Sequence, residues 1–180
     1  HGVVNMKMDA NERLQILTVV TQSMKQEYTR CLPGVVQMDC TYGTNSSAYK
    51  LFCILYPSNV TGHGEVAMFA WMMDETAASF DYVLQCFKVA YAHHPAAIMV
   101  DKDFTQLRAL RKVFPTFKIL LCYFHVAAWM KRLIKSASEN PDKKGEIMKA
   151  FQELVVAKDK EDFAKKEAVW KEAIKGVEVK

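Results

Sequence analysis

Val35-Val36-Gln37-Met38-Asp39-Cys40-Thr41-Tyr42 reads as a β-strand with a carboxylate in an otherwise apolar body, and Gly43 to Ser47 supplies the turn that ends it. Tyr49 to Tyr56 follows as a second, nearly continuous apolar strand. Pro57-Ser58-Asn59 and Thr61-Gly62-His63-Gly64 bracket a loop, and Glu65 to Met73 forms a third strand. Three strands joined by short loops predict an antiparallel meander. Upstream, Leu14 to Thr21 is apolar and β-branched, and a short helical pattern from Ser23 to Tyr28 is stopped by Leu32-Pro33-Gly34.

Downstream the period changes from two to 3.6. Phe80, Val83, Leu84, Phe87 and Tyr91 line one face of a helix, with Asp74 or Thr76 as its cap. Ala96 to Val100 is a short strand that ends at Asp101; Phe104, Leu107, Leu110 and Phe114 mark a helix stopped by Pro115. Phe117 to Cys122 is a fifth strand, and Val126, Trp129, Met130, Leu133 and Ile134 form the helix after it. Strands alternating with helices imply parallel additions to the sheet. The expectation is an α/β fold: a five-stranded mixed sheet, three strands antiparallel and two added in parallel, flanked by helices. From Glu139 the pattern is helical and charged, with apolar stripes at Ile147, Phe151, Leu154 and Val155 and at Phe163, Trp170 and Ile174.

The composition is that of a folded globular chain. Of 180 residues, 51% are hydrophobic and 24% charged, which argues against disorder and disulfide-scaffold classes. No run of about 18 apolar residues exists, so no membrane span is expected. Five cysteines without paired spacing, mostly in apolar runs, read as small buried hydrophobes. With no secretory signal in view, they point to an intracellular protein. Residues 1–100 hold six Lys/Arg against eight Asp/Glu, and residues 101–180 hold 18 against 12. The basic second half suits either a solvated helical face or contact with nucleic acid.

A carboxylate inside an apolar strand is costly unless it is paired, hydrogen-bonded or bound to a cation. Asp39 lies inside one strand and Asp101 ends another. On neighbouring central strands the two would converge at one end of the sheet, where ligands of such sheets bind. Converging carboxylates repel unless a divalent cation neutralises them. Mg²⁺ takes one or two carboxylates plus water and phosphate oxygens. A cap or turn role is the plainer alternative. Asp103 suits the N-cap of the next helix, and Glu75 suits a first-turn anion. Cys122 and His125 form a lone C-x-x-H without the second ligand pair that closes a zinc site. No P-loop, G-x-G-x-x-G, G-x-S-x-G or H-E-x-x-H motif occurs.

Four ordered blocks carry a family resemblance. Asp39-Cys-Thr-Tyr-Gly-Thr-Asn45 resembles the D-x-T-Y-x-T-N segment of Mutator-like (MULE) transposases, and Asp74-Glu-Thr-Ala-Ala-Ser-Phe80 resembles their E-T-x-x-S-F helix start. Val100-Asp-Lys-Asp103, Ala109 and Val113-Phe-Pro115 resemble the T-D-x-D…A…V-F-P block, and Leu120-Leu-Cys-Tyr-Phe-His-Val126 resembles L-L-C-x-F-H-V. Together they span roughly residues 14–135. The chain is similar to SWIM-type zinc-finger proteins, whose central domain resembles these transposases.

The resemblance implies an RNase H-like core over residues 3–138 and the start of a helical insertion over 139–180. It implies a DDE-type site that cuts and joins DNA strands with Mg²⁺ or Mn²⁺. Asp39 would be the first acid, Asp101 the second, and Cys122 with His125 the family's C-x-x-H. It also implies a nuclear protein that meets DNA through the basic half, including Lys131, Arg132, Lys135, Lys143 and Lys144. The family's third acid, a Glu in an N-N-x-x-E-S-x-N-like stretch, has no counterpart in this sequence, so the chain alone is expected to be inactive. The rival expectation is a domesticated domain, kept as an inactive nuclear binding scaffold.

Overall fold

The computed structural model describes residues 1–101, 103–137 and 140–175. Glu139, where the charged helical stretch is expected to begin, lies outside the described residues, as do positions 176–180. The chain forms two compact units, His1–Cys122 and Tyr123–Lys180. No helix among the described residues is long and apolar enough to cross a membrane.

The first unit runs β1 (Val3–Met8), β2 (Leu14–Val20), α1 (Gln22–Cys31), β3 (Val35–Thr41), β4 (Lys50–Pro57), β5 (Gly64–Met72), α2 (Ala77–Ala90), β6 (Ala97–Val100), α3 (Phe104–Val113) and β7 (Lys118–Leu121). All seven strands join one sheet in the order β1-β2-β5-β4-β3-β6-β7. The β3-β4-β5 meander is antiparallel as expected, and β6 and β7 add in parallel beside β3.

The expected count of five strands is corrected to seven. The hairpin β1–β2 pairs antiparallel with β5 through β2. Its turn is built by Asp9, whose Oδ1 accepts the backbone N–H groups of Asn11 and Arg13 at 2.8 and 2.9 Å. Glu12 takes the left-handed φ of 59° that the turn demands. Strand β1 escapes a hydrophobic reading because its polarity is reversed. Val4, Met6 and Met8 point to solvent, while Asn5 donates to Thr18 Oγ1 at 3.1 Å and Lys7 sits 5.6 Å from the Tyr82 ring centre.

Alternate strand positions fill one face of the sheet: Ile16, Val36, Met38, Phe52, Ile54, Tyr56, Ile98 and Val100 are all 0–1% exposed. Helices α1, α2 and α3 supply Tyr28, Phe80, Leu84, Phe87 and Leu110 to the same core. Phe80 meets Phe52 edge-on at 5.7 Å, and Tyr28 packs against Tyr91 and Tyr56 at 4.2 and 5.2 Å. Burial of each such side chain contributes about 1.5–3 kcal/mol, so this aromatic seam anchors the helices to the strands. The opposite positions, including Gln37, Asp39, Cys53, Leu55 and Met99, are only half-buried. All five cysteines are free; Cys31 and Cys122 are buried and the rest half-buried.

The second unit holds α4 (Tyr123–Ala137), α5 (Pro141–Val155) and α6 (Lys160–Ala173). Asn140 caps α5 by accepting from Asp142 N–H at 2.9 Å, with Pro141 in the first turn, where its missing N–H is harmless. Asp159 caps α6, accepting from Glu161 and Asp162 N–H at 2.9 Å. The buried seam is Met130 and Ile134 of α4, Ile147, Ala150 and Phe151 of α5, and Ala173 of α6.

Candidate functional site

Asp39 lies near the carboxyl end of β3, opposite Cys53 of β4. Met38 before it is buried in the helix-covered core, so the alternation turns Asp39 to the other face. Its Oδ1 accepts the Cys40 backbone N–H at 3.0 Å, which fixes the carboxylate's direction. Burial, and then the Asp39 charge, push the Cys53 thiol above its ordinary range.

Strand β6 is the parallel neighbour of β3, with Val35, Val36 and Gln37 opposite Ala97, Ile98 and Met99. Carried forward two residues, that register would set Asp39 level with Asp101, the residue that follows β6. Parallel partners share a face and neighbouring strands lie about 4.8 Å apart, so the two carboxylates are candidates for one patch at the carboxyl end of the sheet. Strand β7 braces this end from the far side, where Cys122 N–H donates to Val100 O at 2.7 Å. Both aspartates are half-buried, which leaves room for water or phosphate oxygens. Two hard oxygen donors of this kind suit Mg²⁺ or Mn²⁺ rather than a thiophilic ion.

The other acids nearby have structural employment. Asp103 is the N-cap of α3 and accepts Gln106 N–H at 2.7 Å, the cap role its position suggests. Glu75 lies with both carboxylate oxygens on the Tyr42 hydroxyl, at 2.9 and 2.8 Å, and also takes the Cys40 thiol. That bond pushes the Tyr42 phenol up to about 12. Burial, then Glu75, hold the Cys40 thiol far above its ordinary range, so it stays a thiol.

The motif residues around these acids also build structure. Thr76 caps α2 and accepts Ser79 N–H at 3.3 Å, while Ser79 Oγ donates to Asp74 Oδ1 at 2.6 Å and lowers the Asp74 pKa. Asn45 clasps the β3–β4 loop, donating to Tyr49 O at 2.7 Å and accepting Tyr49 N–H at 3.1 Å. The D-x-T-Y-x-T-N and E-T-x-x-S-F patterns are therefore largely scaffolding for the strand end that carries Asp39. The Tyr42–Glu75 tie is the piece that sequence reasoning missed, because a surface tyrosine and a first-turn glutamate each look ordinary alone.

Cys122 is buried at the end of the first unit, and His125 lies in the first turn of α4 in the second. Among the described residues no group of three His, Cys, Asp or Glu side chains is gathered closely enough to hold a metal ion. His93 Nε2 meets Pro33 O at 3.2 Å. His94 packs against Phe114 and Phe117, and burial lowers its pKa. Both histidines serve the loop ahead of β6.

Residues 1–120 match the profile of the RNase H-like domain of zinc finger SWIM domain-containing proteins 1 and 3. The chain belongs to this family. The match runs from β1 into β7, and the family is of the SWIM type to which the chain as a whole is similar. The SWIM-type RNase H-like domain thus accounts for the mixed sheet and its flanking helices. Among solved structures, the chain is similar to the Mos1 transposase catalytic domain with raltegravir and Mn, at 15% identity and a TM-score of 0.38, covering 84% of this chain and 86% of that one. It is also similar to the catalytic domain of the Mos1 mariner transposase, at 16% identity and a TM-score of 0.34, covering 86% of this chain and 91% of the other. No curated protein sequence matches the chain significantly.

Proposed function

We propose that this domain is an RNase H-like core of Mutator-like transposase descent, ancestrally a metal-dependent module for cutting and joining DNA strands. Residues 3–138 would form the core and 139–180 the start of a helical insertion. The observation that supports the reading is the parallel β3–β6 register, which, continued by two residues, would bring Asp39 and Asp101 to one face at one sheet end. These two carboxylates would hold Mg²⁺ or Mn²⁺ as the first two acids of a DDE-type site. When bound, such ions activate the attacking oxygen and stabilise the leaving oxygen of a phosphodiester. The chain's own contribution is orientation: the Cys40 N–H aims Asp39, and the β6–β7 ladder steadies the approach to Asp101. DNA is the implied partner, met by Lys131, Arg132, Lys135, Lys143 and Lys144, and the nucleus is the implied compartment.

A second reading, a domesticated nuclear scaffold without catalysis, is favoured by one observation. The acids nearest the pair are engaged elsewhere, Asp103 as a helix cap and Glu75 on Tyr42 and Cys40. Titration calorimetry with Mn²⁺ tests the site under both readings. The unaltered chain should release binding heat that the Asp39→Asn/Asp101→Asn double variant lacks. Heat that survives in the double variant rejects these ligands, and no heat in either protein favours the scaffold.

A further inference from the structure

The cations of the second unit are unevenly spent. In α6, Lys165, Lys166 and Lys171 each pair with a carboxylate one turn earlier: Glu161 at 2.8 Å, Asp162 at 2.8 Å and Glu167 at 3.0 Å. In α5, Lys143 pairs with Glu146 at 3.1 Å, and its three lysines are matched by Asp142, Glu146 and Glu153. Helix α4 contains no Asp or Glu at all, yet carries Lys131, Arg132 and Lys135. None of these three forms an ion pair among the described residues, and all are exposed. The net positive charge of the three helices therefore sits on α4.

Those cations share a face with an aromatic ring. At about 100° per residue, Lys131 and Lys135 fall within ~20° of Phe124 around the helix, and Arg132 flanks them. Phe124 is 73% exposed, and Tyr123 beside it is 50% exposed. Met130 and Ile134 face the α5 seam and keep this stripe turned outward. Along the axis, Phe124 leads Lys131 by about 10 Å and Lys135 follows about 6 Å further on. A planar apolar surface at one end of a row of exposed cations fits a flexible polyanion with accessible aromatic faces. In a duplex the bases are already stacked and offer no such face; in a single strand they do.

We propose that the outer face of α4 is a track for single-stranded nucleic acid, with Phe124 stacking on a base and Lys131, Arg132 and Lys135 holding the backbone. This rests on the reading that the chain meets nucleic acid, and narrows it from the basic half as a whole to one helix face.

Fluorescence anisotropy of the complete chain with labelled oligothymidylate, and with a matched duplex, tests it at low salt. Phe124→Ala should weaken oligothymidylate binding about tenfold and leave duplex binding nearly unchanged. The Lys131→Glu/Lys135→Glu variant should reduce the salt dependence by about two phosphate contacts, while Lys165→Glu/Lys171→Glu in α6 should change little. Unaltered circular dichroism confirms that each variant is folded. Equal affinity of Phe124→Ala and the parent for oligothymidylate overturns the proposal, as does an equal loss on both probes or an α6 variant that matters as much as the α4 one. If the parent binds neither probe, the nucleic-acid reading itself fails, a distinct result.

Discussion

The Tyr42 hydroxyl lies 2.9 and 2.8 Å from the two carboxylate oxygens of Glu75, so the end of β3 is tied to the approach to α2. The tie links the strand that carries Asp39 to the helix that starts the parallel crossover. Tyr42→Phe should cost about 1 kcal/mol, the value of a charge-assisted bond reduced by exposure. Because the bond raises the folded phenol to about 12, its stabilisation is complete below about pH 10, where unfolded tyrosine still keeps its proton. It is lost as pH climbs from there through the folded value. Denaturant melts of parent and Tyr42→Phe should therefore converge above pH 10; a constant gap would contradict the tie.

Ser79 makes the opposite prediction at acid pH. Its hydroxyl is the main cause of the lowered Asp74 pKa. The resulting stability is present above the ordinary carboxylate value of about 3.9 and fades as pH falls through the lower folded value. Ser79→Ala should return Asp74 towards the ordinary range, visible in its side-chain carbon chemical shift, and cost about 1 kcal/mol near neutrality. An unmoved Asp74 titration would show that another group holds it down.

The buried tyrosine seam contains polar groups without reward. The Tyr28 and Tyr56 hydroxyls are fully buried and have no hydrogen-bond partner among the described residues. An unsatisfied buried hydroxyl carries a desolvation penalty, so its removal is cheap or favourable while the ring packing stays. Tyr28→Phe should leave the melting temperature unchanged or raise it by a few degrees. A loss beyond about 2 kcal/mol would mean that the hydroxyl has a partner such as ordered water.

The Asp39 and Asp101 charges should oppose the fold when no cation is present. Like charges on neighbouring strands cost about 0.2–1 kcal/mol. Asp39→Asn should therefore raise stability slightly in chelator, and excess Mn²⁺ should stabilise the parent but not the variant. Scanning calorimetry in both buffers checks this; equal Mn²⁺ stabilisation of parent and variant would remove Asp39 from the site.

Where patterning and burial agree, the fold was legible. The meander showed itself through Phe52, Ile54 and Tyr56, and the parallel additions through the strand-helix-strand order around Val83 and Leu110. Strand β1 did not, because Val4, Met6 and Met8 face water and Asn5 and Lys7 face the protein, which inverts the signal that marks an inner face. The parallel pairing of β3, which carries Asp39, with β6, which Asp101 follows, was legible because strand-helix-strand order adds strands in parallel. The hydrogen bonds of Glu75 were not, since they depend on where a turn delivers Tyr42, which no periodicity records.

The strand order carries a kinetic consequence. Strands β3, β4 and β5 are neighbours in both sequence and space, so their pairing closes only short loops. The β3–β6 ladder must wait for the α2 crossover to bring Ala97–Val100 back beside Val35–Thr41. Non-local parallel pairing of this kind is slow. During refolding, amide protection should appear in the meander first and at Met99 and Val100 later, and any Mn²⁺ binding that depends on Asp101 should emerge only with that second phase.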